Sequence, residues 1–335
     1  AQLDKVESTY REMVQLYMQS QGRPPPLFAG MMYAGARLYL GQPIEACGLF
    51  EQMLATPDEK QALDLETSQG VNYLSHGHAW HAHVLWYLGQ PIEALAHATL
   101  AVELAERFRQ PFNQALAVTY QATLIEMLAD FDEFQAYAAR AVRLAAEYQA
   151  PYYHAWASIL TAFGTAWQQP DETSVQQLRQ AIARFTASGA RLRRPYYLCL
   201  LARACQRANR LAEGLGVVDE AMRESRQNNE RWWAPELHRL RGALLLAQGA
   251  DMADVEAAYQ RALELARAQH ATSLALRAAT SLASLWIARG QPSGVTRILA
   301  PFSALLSGPA DTPDLRAARA VLQAQIRPNA RSATT

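Results

Sequence analysis

The sequence predicts an all-α protein, a right-handed superhelical solenoid of stacked helix hairpins with a period of about 40 residues. Alanine and leucine, both strong helix formers, are the commonest residues, and the β-branched alternation typical of strands is missing. An alanine followed by an aliphatic residue recurs in steps of 40, 40, 40 and 41 residues. These alanines are Ala101, Ala141, Ala181, Ala221 and Ala262.

Turn signals precede each of these pairs. The clearest are Leu40-Gly41-Gln42-Pro43 and Leu88-Gly89-Gln90-Pro91, in which Gly suits the left-handed end of one helix and Pro the first turn of the next. A second break follows each pair, often with Pro and an aromatic residue. Each unit is therefore expected to be helix A, a tight turn, helix B and a longer loop.

Read in order, the chain gives a leading helix near 4–19, about seven hairpins and a closing helix near 313–325. The small alanines are expected where helix B crosses another helix, because only a small side chain allows close approach. We predict one solenoid domain over 1–327, atypical over 1–70, and a disordered tail over 328–335. The polar stretch from Thr56 to Gln69 is the candidate for a loop or an atypical repeat.

Composition excludes several classes of function. The 31 basic residues balance 31 acidic ones, so no net charge draws the chain to nucleic acid or an anionic membrane. Lysine occurs only at Lys5 and Lys60, and no Gly-Lys pair forms a P-loop. Three cysteines without CxxC spacing argue against a disulfide framework or a structural zinc site. Without a signal peptide or a membrane-spanning run, the expected compartment is the cytoplasm.

No motif points to catalysis, a metal or a cofactor. His76, His78, His81 and His83 are interpreted as ordinary helix-face histidines, since His76 and His83 lie two turns apart, too far to share an ion. The acidic run that starts at Asp130 falls in a turn, where Asp caps the following helix. GxSxG and HExxH motifs are missing, so we expect a non-catalytic protein.

Aromatic and basic residues cluster where A helices begin. If A helices line the concave face, these residues could form aromatic walls and guanidinium donors around a ligand or partner. The alternative is packing, in which Tyr and Trp fill the wedge between repeats and Arg stems cover apolar surface. The ligand-binding or partner-binding candidates are Tyr153, Trp156, Arg193, Arg194, Tyr197, Trp233, His238 and Arg241.

Several runs carry a resemblance to a known family. The hairpins resemble tetratricopeptide-like repeats, with a period longer than the standard 34 residues. The run from Tyr87 to Pro91, the run from Glu230 to Gly242 and the closing run from Asp311 to Leu315 are similar to the C-terminal sensor arms of bacterial STAND-class regulatory ATPases. The similarity covers roughly residues 70–325.

This resemblance implies a non-catalytic sensor arm that binds a small inducer or a partner protein on its concave face. The NTPase switch and an effector, such as a DNA-binding domain or a nucleotide cyclase, would belong to the parent chain. The first residue, Ala1, is not Met, which favours a piece of a longer protein, although processing would look the same. The alternative is a stand-alone scaffold that holds a peptide or helix of a partner protein.

Overall fold

The computed structural model of the chain describes residues 3–22, 27–55, 70 and 72–326, and its regular elements are all helical in that part. The helices are α1 (Val6–Gln21), α2 (Leu27–Tyr39), α3 (Pro43–Leu54), α4 (Tyr73–Tyr87), α5 (Pro91–Phe108), α6 (Pro111–Met127), α7 (Phe131–Glu147), α8 (Pro151–Gln168), α9 (Glu172–Ala187), α10 (Arg194–Arg207), α11 (Leu211–Gln227), α12 (Ala234–Ala247), α13 (Met252–Ala268), α14 (Thr272–Ala288), α15 (Val295–Leu299), α16 (Ser303–Ser307) and α17 (Pro313–Ile326). The even-numbered helices from α2 to α14 are the A helices, and the helices that follow them are the B helices. The predicted all-α repeat fold is confirmed.

The tight turns lie where the sequence predicts them. The turn between α4 and α5 is typical: Gly89 has φ of +88°, and the amide of Gln90 donates to the carbonyl of Leu85 at 2.9 Å. This left-handed cap ends one helix and points the chain into the next, which begins at Pro91. At the start of α7, Asp130 accepts a hydrogen bond from the amide of Glu133 at 3.5 Å, as a capping residue should.

The repeated alanines lie on B helices, and all five are buried, with at most 9% of their surface exposed. Each hairpin packs its B helix against its own A helix and the next one, while successive A helices also contact each other. The A helices therefore form the inner layer of the superhelix and the B helices the outer layer. One continuous hydrophobic core runs from Leu3 to Ala318.

The ends depart from the regular pattern. The leading helix runs over Val6–Gln21 rather than 4–19, and none of its residues is buried. The B segment of the last hairpin is not one helix, because Pro301 interrupts it and leaves α15 and α16 flanked by short 3-10 turns. The stretch from Thr56 to Gln69 and the tail over 328–335 lie outside the described residues.

The inner layer contacts itself across the superhelix. The hydroxyl of Ser273 on α14 donates to the carbonyl of Trp86 at 2.5 Å, and Arg277 donates to the carbonyl of Met127 at 2.5 Å. The amide of Arg231 donates to the carbonyl of Tyr39 at 2.8 Å. Because these bonds join helices 150 or more residues apart, the protein's own side chains fill its concave interior. No helix among the described residues is long and apolar enough to cross a bilayer.

Candidate ligand-binding inner face

A buried arginine occupies the centre of the inner layer. Arg193 is 1% exposed, and its guanidinium carbon lies 4.0 Å from the ring centroid of Trp156 and 4.8 Å from that of Tyr120. The rings of Tyr39 and Trp232 complete the enclosure at 5.4 and 5.8 Å. We call Arg193 and these four rings the Arg193 box. Cation–π attraction of this kind strengthens when water is excluded.

The guanidinium in the box is incompletely bonded. Its Nε donates to the hydroxyl of Tyr39 at 2.7 Å, but Nη1 and Nη2 have no hydrogen-bond partner among the described residues. Other buried polar groups at or next to the box also lack partners in the described part of the chain: the ring nitrogens of His76, one a donor and one an acceptor in the neutral imidazole, Nε1 of Trp156 and Oη of Tyr197. Each such group costs about 1–3 kcal/mol when it is left unsatisfied. A ligand with acceptor oxygens would recover that cost.

The backbone and charge of the box are also unusual. Arg193 has φ of +68°, a left-handed conformation that a residue with a side chain rarely adopts. Its amide donates to the carboxyl of buried Glu230 at 3.0 Å, and Nε1 of Trp232 donates to the same group at 2.9 Å. Burial raises the pKa of Glu230 to about 7, and these donors and the charge of Arg193 only partly oppose it.

An apolar groove leads from solvent to the cover of the box. It encloses about 610 Å³ between α1 and α2, and Lys5 is the one charged residue lining it in the described chain. Tyr10 and Tyr33 stack at its side, with ring centroids 4.2 Å apart. It is lined by Leu3, Lys5, Val6, Thr9, Tyr10, Met13, Ala29, Met32, Tyr33, Ala36, Tyr39, Trp80 and Leu192. We call this the N-terminal groove, and through Tyr39 it adjoins the Arg193 box.

A second cavity, of about 490 Å³, opens between α11, α12 and α13. Arg226, Arg231, Arg261 and His238 line it, and none of the described residues lining it is acidic. Burial, followed by repulsion from Arg261 and neighbouring arginines, lowers the pKa of His238 to about 4. This cationic cleft has the charge and size for a small anion.

A different set of charges joins α6, α10, α12, α14 and α17. Buried Glu126 accepts a hydrogen bond from Oη of Tyr196 at 2.6 Å and pairs with Arg203. Glu236 takes both a 2.8 and a 2.7 Å hydrogen bond from Arg239. Arg277 pairs with Asp314 at 2.8 Å and lies 4.0 Å from Glu236. We call these seven residues the arginine clamp; no buried side-chain nitrogen or oxygen in it lacks a partner within the described chain.

The structure places the eight predicted site residues in three locations. Arg193 and Trp156 are in the box, and Tyr153 and Tyr197 are buried beside them. Trp233 is buried between Trp86 and Tyr196. The other three lie outside the box: Arg194 pairs with Glu220 and Glu224, His238 lines the cationic cleft, and Arg241 lies 3.6 Å from Asp219.

Two of the rings that enclose Arg193 were not among the residues predicted from the sequence. Tyr39 and Tyr120 lie on α2 and α6, far along the chain from Arg193, and Trp80 on α4 packs against both of these rings. Sequence spacing locates residues along one hairpin, so it carries no signal for this closure. Glu230 lies three residues before the candidate Trp233, and only the structure shows that this carboxyl is buried rather than a surface charge.

Comparison with known proteins supports the fold. No family model matches the chain. An uncharacterized protein of Rhizobium meliloti (strain 1021) is 25% identical over 254 residues, which are 75% of this chain but 25% of that protein. The chain thus spans about a quarter of the length of that relative.

Two solved structures are similar in fold. A Rap protein complexed with competence and sporulation factor superimposes with a TM-score of 0.61 over 96% of this chain and 86% of that one, at 12% identity. A STAND protein with a tetratricopeptide repeat sensor from Pyrococcus horikoshii gives a TM-score of 0.45 at 12% identity, covering 89% and 45% of the two chains. The similarity to the Rap protein, together with the sequential pairing of the helices, shows a tetratricopeptide-like all-helical repeat fold.

Proposed function

We propose that the chain is a non-catalytic helical-repeat module that binds a peptide or helical segment of a partner protein. The carrying observation is the N-terminal groove, whose lining includes Tyr39, the residue that accepts a hydrogen bond from buried Arg193. The Nη1 and Nη2 atoms of that arginine have no hydrogen-bond partner among the described residues. Apolar side chains of the segment would fill the groove. A carboxylate of the segment, at a side chain or a C-terminus, would pair with Arg193 in the two-pronged geometry that guanidinium favours.

Access to Arg193 requires the superhelix to open. The ring of Tyr39 meets the ring of Trp232 edge-on, with centroids 5.4 Å apart. The backbone carbonyl of Tyr39 also accepts a hydrogen bond from the amide of Arg231. A ligand that binds the open form more tightly than the closed form would shift the population towards the open form. The size of that shift is set by the difference between the two affinities. The unsatisfied donors of the box make the closed form less stable, which lowers the cost of opening.

The similarity to a Rap protein solved with competence and sporulation factor is in keeping with a protein or peptide partner. At 12% identity that similarity concerns the fold, so the proposal depends on the groove and the box. We include the cytoplasm in the proposal because the three cysteines are free thiols.

The test is to select a displayed random-peptide library on the whole chain and to measure the enriched peptides, fluorescently labelled, by anisotropy. Met32→Asp places a charge in the groove, and Leu100→Asp makes the same kind of change on the outer helix α5; the two side chains are 42% and 38% exposed. We expect Met32→Asp to weaken binding by about tenfold or more and Leu100→Asp to leave it unchanged. Equal affinity for the two variants, or no enrichment, would contradict the proposal.

A second function is the sensor arm of a larger signalling or transcription-regulating ATPase, which binds a small inducer and acts on the NTPase and effector domains of its parent chain. The length of the Rhizobium meliloti relative, four times the matched segment, favours this reading. The cationic cleft would accept an anionic inducer. The sequence upstream of Ala1 tests it: a P-loop within a few hundred residues supports the sensor arm, and a start codon directly before Ala1 contradicts it.

A further inference from the structure

Metal-ligating side chains from two helices meet on the outer side of α4. Cys47 and Glu51 lie one turn apart on α3, and His81 faces them from α4. The Sγ atom of Cys47 lies 3.5 Å from Nε2 of His81 and 3.4 Å from Oε1 of Glu51. All three ligand atoms lie within 4.8 Å of one another.

These separations match the edges of a zinc coordination tetrahedron. With Zn–S bonds of about 2.3 Å and Zn–N or Zn–O bonds of about 2.0–2.1 Å, two ligand atoms at the tetrahedral angle are about 3.5 Å apart. Both distances from Cys47 Sγ already have this value. The third, between His81 and Glu51, can shorten by a rotation of Glu51, whose side chain is exposed.

Neighbouring rings hold the imidazole of His81 in place. Phe50 stacks against it with centroids 5.8 Å apart, and His97 on α5 meets it edge-on at 4.6 Å. His97 is in turn held by His78, with their Nδ1 atoms 2.9 Å apart. The other ring nitrogen of His81, Nδ1, has no hydrogen-bond partner among the described residues, so packing against these rings sets the orientation of the imidazole.

We propose that Cys47, Glu51 and His81 bind a Zn²⁺ ion, with the fourth position open to water beside exposed Glu51. Thiolate, imidazole and carboxylate together suit zinc better than magnesium or calcium, which prefer oxygen ligands alone. Binding replaces the thiol proton of Cys47 by the metal and releases that proton to solvent. The ion would join α3 to α4 and so stabilise the first hairpin on the repeat that follows.

The site arises from tertiary structure. The spacing of His76, His78, His81 and His83 concerns one helix only, and along that helix the histidines cannot converge on one ion. Of these four, the structure assigns His81 to the site and takes the other ligands from α3.

The test uses the full chain and Zn²⁺ alone, measured by equilibrium dialysis and calorimetry, with Co²⁺ as a spectroscopic substitute. We expect one ion per chain and a thiolate-to-cobalt charge-transfer absorption. Cys47→Ser and His81→Gln should each weaken Zn²⁺ binding by more than the roughly 10–100-fold that loss of an outer-shell partner costs. His154→Gln, which changes an exposed histidine on α8, is the matched control and should bind normally.

A folded chain that binds no Zn²⁺ overturns the proposal, as does binding that is unchanged in Cys47→Ser or a cobalt spectrum without a thiolate band. If either variant fails to fold, the unaltered chain still decides the question. Zn²⁺ should slow the alkylation of Cys47, measured by mass spectrometry of the cleaved chain. An unchanged rate of modification contradicts the site.

Discussion

Glu230 and Glu236 lie six residues apart, and both are almost fully buried, yet their surroundings affect them in opposite ways. Burial raises the pKa of Glu230 to about 7, and the two neutral donors to it, the amide of Arg193 and the indole of Trp232, together with the charge of Arg193, only partly oppose that rise. Burial also acts to raise the pKa of Glu236, but Arg239 and Arg277 outweigh it and lower the pKa to about 2. Glu230 adjoins the Arg193 box, through the Arg193 amide and Trp232, and Glu236 belongs to the arginine clamp.

The contrast separates two uses of buried charge. In the clamp each charge has its partner, so removal of one partner leaves another unpaired and the fold loses stability. In the box, two guanidinium nitrogens of Arg193 have no hydrogen-bond partner in the part of the chain that the structure describes, and they lie inside an aromatic enclosure. We infer that the clamp holds the superhelix closed and that the box is reserved for a ligand. The following changes test that distinction.

The largest expected effect is at the centre of the clamp. Glu126→Ala leaves the guanidinium of Arg203 and the hydroxyl of Tyr196 without their acceptor, which should lower the free energy of unfolding by about 3–5 kcal/mol. Glu106→Ala is the control, because its partner Arg140 and its own side chain are exposed, and such pairs contribute about 0–1 kcal/mol. Urea denaturation measures both. Equal losses would remove the distinction between a buried and a surface pair.

The two carboxyls should show opposite pH dependence. Glu230 has a folded pKa above its reference of 4.5, so its contribution to stability is complete below pH 4.5 and is lost as the pH rises through about 7. Glu236 has a lowered folded pKa, so its contribution is present above pH 4.5 and is lost as the pH falls towards 2. Across its own pH range, each carboxyl should change the free energy of unfolding by on the order of 3 kcal/mol.

Glu230→Gln and Glu236→Gln isolate these effects from the rest of the chain. Relative to the unaltered protein, Glu230→Gln should become more stable as the pH rises from 4.5 to above 7. Glu236→Gln should be less stable near pH 7, and the difference should shrink as the pH falls towards 2. Chemical denaturation across this range measures both, and parallel curves for the two variants would show that the carboxyls do not differ.

The smallest effect probes closure of the superhelix at a turn. Gly89 and Gly249 both have positive φ, but a Cβ at Gly89 would lie 2.8 Å from Cγ2 of Thr272 on α14, and one at Gly249 meets nothing within 4 Å. Alanine at either position must adopt the left-handed backbone conformation, which costs about 1–2 kcal/mol. Gly89→Ala should cost about 1–3 kcal/mol more, from overpacking. Thermal and urea denaturation compare them, and identical losses would place α14 farther from this turn.

The sequence predicts the local part of this fold well. A period of about 40 residues, small alanines on B helices and Gly-Pro turns identify the hairpins, because those features act within one repeat. The clusters of aromatic and basic residues where A helices begin also identify Trp156 and Arg193 as candidates. Closure of the superhelix depends on contacts such as Arg193 with Tyr39, 154 residues apart. No periodic signal encodes such a contact.

For the same reason the sequence could not distinguish a binding arginine from a structural one. Arg193, Arg194 and Arg203 look alike in a helical repeat. The structure makes Arg194 part of a partly exposed pair with α11, Arg203 a member of the clamp, and Arg193 the centre of an aromatic box. The difference lies in which carboxylates reach each guanidinium, and that is decided by tertiary packing.

The most direct test compares Arg193→Met with Arg203→Met in two measurements, urea denaturation and affinity for the selected peptide. Arg203→Met removes the guanidinium partner of Glu126 and should cost about 3–5 kcal/mol. Arg193→Met removes the bond to Tyr39 and the cation–π contacts but leaves Glu230 its amide and indole donors, so we predict a loss of about 1–2 kcal/mol, smaller than for Arg203→Met, together with loss of peptide binding. The account is contradicted if Arg193→Met unfolds the protein as readily as Arg203→Met, or if it binds the peptide with unchanged affinity.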